Sequence, residues 1–178
     1  MRKRRFRKYD GLKYGWLKDT KKFIFLLVLV FLVFRLVIGV SLVKGNSMEP
    51  TLYNSEAVLY LRINPEYKRG DVVSVRIPSG EYYVKRVIAV AGDTIELKDG
   101  RVYINGSILE EPYIKGETLE QEGIVKYPLT LGEGQIFVMG DNREVSTDSR
   151  SFGVVGRRQI KGKLLFYIGG FSRKGIVS

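Results

Sequence analysis

The chain has 178 residues, 44% of them hydrophobic, which is enough for one domain with a core of its own. It contains no cysteine and no histidine, so thiol nucleophiles, disulfide bonds, Cys/His zinc sites and a Ser-His-Asp triad are excluded. The net charge of +11 is concentrated at the N-terminus, where residues 1–22 carry ten Lys and Arg against two acidic residues, leaving 20 against 17 elsewhere. The body of the chain therefore lacks the basic face of a nucleic-acid-binding domain.

Residues 23–43 form the only long apolar run, with Arg35 as its single charge. As a helix rising about 1.5 Å per residue, this run would be about 30 Å long, the thickness of a bilayer core. With the positive-inside rule, the sequence predicts a basic cytoplasmic tail over 1–22, a transmembrane helix over 23–43 and an extracytoplasmic domain over 44–178. A buried core helix and a signal peptide cleaved near Ser41 are the alternatives, although the run is longer than a usual h-region.

After residue 43 the pattern changes to short alternating apolar runs separated by Gly, Pro, Asn and Asp. The predicted strands are Ala57–Arg62, Asp71–Ile77, Glu81–Val90, Thr94–Lys98, Arg101–Ile104, Gln135–Met139 and Lys163–Ile168. No stretch of this region has helical periodicity, so a mainly β domain built as a folded sheet or barrel is expected. Residues from about 107 to 134 are rich in Glu and Gly and are predicted to form a loop or a small excursion from the sheet.

A candidate nucleophile, Ser47, follows the apolar run at the start of the β domain. Without His or Cys, its base has to be Lys, Asp, Glu or Tyr. Lys85 is a candidate because alternation in its predicted strand puts it on one face with Tyr83, Val87 and Ala89. A lysine at its usual pKa of about 10.4 is neutral in only about 0.1% of molecules near pH 7.4, and burial lowers that pKa. The alternative is a strand lysine whose ammonium reaches solvent.

A polar loop is predicted over residues 140–153, directly after the strand that ends at Met139. The loop carries two Asp and two Arg that can pair with each other, and the hydroxyl groups of Ser146 and Ser149. A hydroxyl group can hydrogen-bond a neutral lysine without raising its pKa as a carboxylate would. The alternative is a solvated surface turn.

Together these stretches resemble the ordered sequence motifs of bacterial type I signal peptidases, which are Ser-Lys serine proteases. The motifs lie at Ser47–Leu52, Arg69–Val73, Tyr83–Val87 with Gly92 and Asp93 following, and Gly140–Arg150. The resemblance implies a signal-peptidase-like β domain and a membrane-bound endopeptidase that removes signal peptides from exported preproteins, cleaving after small residues at −3 and −1. The alternative is a membrane-anchored β adaptor or an inactive homologue of the family.

The resemblance also implies roles for individual residues. Ser47 would be the nucleophile that forms an acyl-enzyme, Lys85 the general base, and Ser146 the residue that orients the lysine. The residues expected to support this site are Asp148, Arg150, Asp141 and Arg86. Some members of the family have a serine at the position of Gly45, and its hydroxyl helps to form the oxyanion hole. Here the Ser47 backbone amide is the only donor that the resemblance assigns.

The expected partners follow from the same resemblance. They are secretory preproteins and the lipid bilayer, with no nucleic acid, no cofactor and no metal, and the protein is expected to be a monomer. Its expected location is the plasma membrane, as a single-pass protein with a cytoplasmic N-terminus and the catalytic domain on the outer face. Met48 and the apolar neighbours of Lys85 are the candidates for the substrate pockets.

Overall fold

The computed structural model describes residues 10–63, 66–122, 124–170 and 173–177, and the side chains from residue 19 onwards. It consists of two compact units, one ending at Val37 and the other formed by Ile38–Ser178. The second unit therefore begins earlier than the predicted boundary after residue 43. Residues 1–9, the first part of the predicted basic tail, lie outside the described residues.

The first unit contains one helix, α1 (Asp10–Leu36). Its apolar side chains from Phe23 to Phe34 are between 44% and 69% exposed. The helix predicted over residues 23–43 has to be corrected, because α1 ends at Leu36 and the following residues form a strand. Among the helices in the described part of the chain, none is long and apolar enough to cross a membrane.

That strand, β1 (Ile38–Leu42), pairs antiparallel with β2 (Ala57–Leu61) over five residues. Gly39 lies against Tyr60, and a Cβ atom at this position would be 2.2 Å from the tyrosine ring. Because glycine has no side chain, the tyrosine ring can occupy this space. Glycine also disfavours continuation of α1 through this position. A pairing partner about twenty residues away thus decides the conformation of a segment whose composition suits a membrane helix.

The second unit is built on an antiparallel sheet of eight strands. Besides β1 and β2 it contains β3 (Val72–Arg76), β4 (Tyr82–Val90), β9 (Gln135–Met139), β10 (Val155–Gly156), β11 (Ile160–Ile168) and β12 (Lys174–Ile176). The strand order is β1-β2-β11-β3-β4-β9-β10, and β12 pairs with β11. Two apolar clusters cover this sheet; one contains Met48 and Leu52 and the other Val73 and Val87.

A second antiparallel sheet has four strands: β5 (Thr94–Lys98), β6 (Arg101–Ile104), β7 (Ser107–Ile108) and β8 (Leu129–Thr130), in the order β7-β6-β5-β8. Its inner side chains, such as Ile95 and Val102, pack with Ile88 and Phe137 of the large sheet in a third apolar cluster. The predicted loop over 107–134 therefore contributes both outer strands of this sheet.

The expectation of a mainly β domain is confirmed, and each of the seven predicted strands is present with ends shifted by at most three residues. Sequence reading did not identify the short strands, nor the one-turn helix α2 (Ser149–Phe152) and the 3-10 turn Arg157–Gln159. These elements are too short to carry a periodic pattern, and long-range contacts stabilise them.

Candidate active site

Ser47 lies in a turn that joins β1 to β2, and the buried side chains that follow it hold the turn in place. Met48 and Leu52 are fully buried in one apolar cluster, and the Leu52 N–H donates to the Met48 carbonyl at 2.9 Å. The Ser47 carbonyl accepts a hydrogen bond from the Asn142 N–H at 3.1 Å, and the Asn46 carbonyl accepts one from Asn142 Nδ2 at 3.2 Å. The half-buried serine is therefore held by contacts on both sides.

Lys85 lies in β4, where it pairs with Val73 of β3, and only 2% of its surface is exposed. Its Nζ atom donates a hydrogen bond to Ser47 Oγ at 2.8 Å. Burial lowers the pKa of Lys85 from 10.5 to about 8; Asp148 and Asp141 raise it, and Arg150 lowers it. The alternative of a solvent-reaching surface lysine is wrong, because the ammonium is enclosed and contacts the serine hydroxyl.

The polar loop after β9 is held by a buried ion pair between Asp148 and Arg150. Asp148 accepts from Arg150 Nε at 2.8 Å and Nη2 at 2.9 Å, and it also accepts the N–H of Gly140 at 3.0 Å. The Asp148 side chain caps α2 through the Arg150 N–H. Arg150 Nη2 in turn donates to the carbonyls of Arg143 and Ser146. The loop is therefore an ordered part of the interior, and the alternative of a solvated turn is wrong.

Ser146 is buried in this loop, 2% exposed, and its carbonyl accepts from Gln121 Nε2. Its hydroxyl forms no hydrogen bond with any described residue, Lys85 included. The hydroxyl packs against Gly140, where a Cβ atom would be 2.2 Å from Ser146 Oγ and 2.4 Å from the Ser47 carbonyl oxygen. The expected orienting contact between Ser146 and Lys85 is thus not formed in this structure.

Asp141 and Arg86 form the second buried pair, with distances of 2.9 Å from Nε and 2.8 Å from Nη2 to the two carboxylate oxygens. Thr51 Oγ1 donates to Asp141 and accepts from Arg86 Nη2, which links this pair to the turn that carries Ser47. Arg86 also donates to the Gly70 carbonyl at 2.9 Å. Because Arg86 is adjacent to Lys85 in β4, these contacts fix the strand beside the candidate base.

Sequence reading did not identify a third buried group, formed by Arg143 with Glu111, Thr118 and Tyr113. The Arg143 guanidinium donates to both Glu111 carboxylate oxygens and to Thr118 Oγ1, and its Nε donates to the Gly140 carbonyl at 3.0 Å. Tyr113 donates to Glu111, and burial raises its pKa, so it remains a protonated donor. The partners come from the unpatterned region over 107–134, where no local signal marks them.

Gly45 adopts the left-handed region at φ +83°, which glycine tolerates best. Its N–H donates to Asn54 Oδ1 at 2.9 Å, so this amide is already bonded. The Ser47 N–H, by contrast, forms no hydrogen bond with the described residues. Of the two amides, only that of Ser47 is available to a bound oxyanion.

Ser47 and Lys85 line a groove with a volume of about 590 Å³. The groove is lined by Ser41–Met48, by Tyr82–Lys85 at the start of β4, and by Ser74, Glu81, Val145, Thr147 and Lys161. On one side, β4 pairs with β9 only from Arg86 onwards. On that side of β4, the residues Tyr82–Lys85 therefore have no strand partner among the described strands. The groove can therefore accept an extended peptide next to the serine and the lysine.

Within the described residues, no group of three or more His, Cys, Asp or Glu side chains is arranged to hold a metal ion. The chemistry that the groove can perform rests on a hydroxyl group in contact with an amine whose pKa is lowered. Such a pair can carry out nucleophilic attack on a carbonyl, because an amine that is neutral near pH 8 can accept the hydroxyl proton.

Comparison with known proteins gives a consistent result. Residues 16–168 match the family described as signal peptidase, peptidase S26. The chain is 37% identical to signal peptidase I of Bacillus licheniformis over 83% of this chain and 85% of that protein. It is 36% identical to signal peptidase I S of Bacillus subtilis over 85% and 89% of the two chains, and 35% identical to signal peptidase IB of Staphylococcus aureus over 82% and 85%.

Among solved structures, the chain is similar to a signal peptidase I from Enterococcus faecalis. The two are 30% identical, with a TM-score of 0.46, over 57% of this chain and 99% of that chain.

Proposed function

Because this chain belongs to the signal peptidase family, peptidase S26, we propose that it is a membrane-bound serine endopeptidase that removes N-terminal signal peptides from exported preproteins. One observation carries the proposal: the buried Lys85 donates to Ser47 Oγ at 2.8 Å, and both side chains line a groove that can accept a peptide. In a chain without histidine or cysteine, this pair supplies both a nucleophile and a base.

The reaction begins with Lys85 in its neutral form. At a pKa of about 8, roughly a fifth of the molecules carry a neutral lysine at pH 7.4, compared with about 0.1% at the usual pKa. The lysine takes the proton of Ser47 as the serine oxygen attacks the carbonyl of the scissile bond, and the proton then passes to the leaving amine. A water molecule, deprotonated by the same lysine, hydrolyses the acyl-enzyme and releases the serine.

The developing oxyanion needs hydrogen-bond donors. The Ser47 N–H is the donor that we assign, and it is free of other bonds with the described residues. Gly45 supplies no hydroxyl, and its own N–H is bonded to Asn54. A water molecule or another backbone amide would have to provide any second hydrogen-bond donor.

The other predicted residues are proposed to hold Lys85 and Ser47 in position. Asp148 and Arg150 hold the loop that carries Gly140 against Ser47, and Asp141 with Arg86 holds β4 against the Ser47 turn. We assign Ser146 the role of orienting Lys85 once substrate is bound, since its buried hydroxyl has no other partner among the described residues. The Ser146 hydroxyl is therefore free to hydrogen-bond Lys85 when the substrate binds.

The cleavage segment of the preprotein is proposed to add as an extended strand along the unpaired edge of Tyr82–Lys85, facing Ser41–Asn46. The apolar side chains that line the groove include Val43, Met48 and Val84. We propose that these side chains line shallow pockets that suit small residues at −1 and −3 and exclude larger ones.

The exposed apolar surface of α1 supports a location at the membrane. The twelve successive apolar side chains from Phe23 to Phe34 are 44% to 69% exposed among the described residues, and lipid covering them would remove this apolar surface from water. We propose that the N-terminal part of the chain holds a monomeric enzyme in the plasma membrane, with the basic segment on the cytoplasmic side and the β domain on the outer face. Since preproteins carry an apolar segment too, attachment to one membrane raises the effective concentration of enzyme and substrate.

The orientation can be tested directly because the chain has no cysteine. A single cysteine at the exposed Lys174 should react with a membrane-impermeant maleimide in intact cells, whereas one at Lys3 should react only after lysis. Labelling of Lys3→Cys in intact cells would contradict the proposed orientation.

The activity is tested by incubating the full chain in detergent with a preprotein and sequencing the new N-terminus. Ser47→Ala and Lys85→Ala should each abolish cleavage while the circular dichroism spectrum stays unchanged. Lys85→Arg should also be inactive, because a guanidinium does not deprotonate. Lys98→Ala, at an exposed position of β5, serves as the matched control and should retain full activity. Efficient processing by Lys85→Ala would refute the assigned base, and no cleavage by the wild type would favour an adaptor or an inactive homologue.

A further inference from the structure

The groove is also lined by a second lysine, whose ammonium lies over two aromatic rings. Lys161 Nζ lies 4.6 Å from the centre of the Tyr82 ring and 5.3 Å from that of Tyr60. Lys161 is the extra residue of a β-bulge in β11, between Ile160 and Gly162, which pair with consecutive residues of β3. A bulge redirects a side chain out of the normal alternation, and here it directs the ammonium towards the groove that Lys161 lines.

The Lys161 ammonium has no acidic partner among the described residues, whereas the neighbouring Lys163 pairs with Asp71. Apart from Lys85 and Lys161, two other charged side chains line the same groove. Lys44 is exposed, and Glu81 accepts a hydrogen bond from Ser79 Oγ at 3.2 Å. The two ring faces restrict the ammonium of Lys161 and stabilise its charge, so little side-chain freedom is lost when an anion binds. The result is an ordered cation with no carboxylate against it.

The position of this cation along the groove follows from the strand geometry. Tyr82 precedes Lys85 by three residues, about 10 Å along an extended strand. The Lys161 end of the groove is therefore the end at Tyr82, and the apolar side chains Val43 and Val84 line the same groove. Because small residues at −1 and −3 would occupy that apolar part, the residues before them in the preprotein reach the Lys161 end.

We propose that Lys161, held by Tyr60 and Tyr82, is a binding subsite for an aspartate or glutamate side chain at positions −4 to −6 of the preprotein. This inference rests on the proposed function and adds a charge preference to it. Glu81, in the same part of the groove, opposes the preference, because its carboxylate repels a second acidic group. The subsite therefore selects among preproteins without taking part in bond cleavage.

The test uses the full chain in detergent and quenched peptides with Ala at −3 and −1. In the parent peptide, positions −7 to −4 are Asn, and each is replaced in turn by Asp. For wild type, Asp within −4 to −6 should raise kcat/KM by about two- to fivefold, the range of a partly exposed ion pair. Lys161→Gln should reduce this ratio to about one, and Glu81→Gln should increase it.

Two controls separate the subsite from general effects. Lys98→Gln removes an exposed lysine of β5 and should leave the Asp/Asn ratio unchanged. Raising the salt concentration should lower the ratio for wild type and not for Lys161→Gln. An Asp/Asn ratio that is equal in wild type and Lys161→Gln at every position overturns the subsite, whereas failure of wild type to cleave any peptide overturns the proposed function itself.

Discussion

Replacing Lys85 by methionine should remove the activity and stabilise the fold at neutral pH. Methionine keeps most of the aliphatic volume of the buried side chain and carries no charge. Lowering the pKa of Lys85 from 10.5 to about 8 corresponds to about 3 kcal/mol, at about 1.4 kcal/mol for each tenfold change in the protonation equilibrium. Below pH 8 this is the free energy that the folded protein loses by burying the ammonium, and the loss disappears when the lysine is replaced.

The sign of the effect depends on pH. Between pH 8 and 10.5 the unfolded chain binds a proton that the folded protein does not, so wild-type stability rises with pH across this window. The variant also loses the hydrogen bond to Ser47, about 1 kcal/mol. Lys85→Met should therefore be more stable than wild type by about 2 kcal/mol at pH 7, with the difference falling to zero near pH 10 and then changing sign.

Urea unfolding of both proteins, followed by far-ultraviolet circular dichroism at several pH values, measures this difference. Lys98→Met is the matched control at an exposed position and should change the stability by less than about 0.5 kcal/mol. A Lys85→Met protein that is less stable than wild type at pH 7, or a difference that does not vary with pH, would refute the reasoning.

Three further results are expected. The wild-type kcat/KM should rise about tenfold per pH unit below pH 8 and level off above it, because only neutral Lys85 accepts the proton; a rate that is flat from pH 6 to 9 would contradict this. Asp148→Ala should lower the free energy of unfolding by about 3–5 kcal/mol in urea titrations, because it leaves the Arg150 guanidinium buried without its partner, and an unchanged stability would argue against this pair. Gly140→Ala should reduce kcat on the order of 100-fold in peptide assays, because the new Cβ displaces the Ser47 carbonyl oxygen; full activity would show that the loop can shift.

Much of the β domain could be predicted from the sequence. Thr94–Lys98, Arg101–Ile104 and Gln135–Met139 have the ends that sequence pattern and turn residues indicate, since all three strands are flanked by glycine or asparagine turns and the first two alternate buried with more exposed side chains. The segment Ile38–Leu42 was predicted wrongly because its apolar composition suits a membrane helix as well as a strand. Its pairing with β2 decides between them, and a local pattern contains no information about that partner.

The candidate site divides in a similar way. The absence of His and Cys and the position of Lys85 in an alternating strand made this lysine a candidate base, and the resemblance to signal peptidases assigned it as the partner of Ser47. The catalytic roles remain predictions, although the structure brings the two side chains within 2.8 Å. Glu111 and Tyr113, which surround Arg143 and Arg86, were not predicted, because they lie about thirty residues away from their partners in a region without periodicity.

By itself, the sequence determined which residue types are available for chemistry, the alternation that forms the strands and the ordered motifs that place the chain in its family. These are properties of composition and of neighbours along the chain. Only the tertiary structure decided that the Lys85 ammonium is buried against Ser47 and that Lys161 is held by two tyrosine rings in the same groove. Burial and pairing depend on residues far apart in the chain, and they set the pKa and the charge preference that we expect to measure.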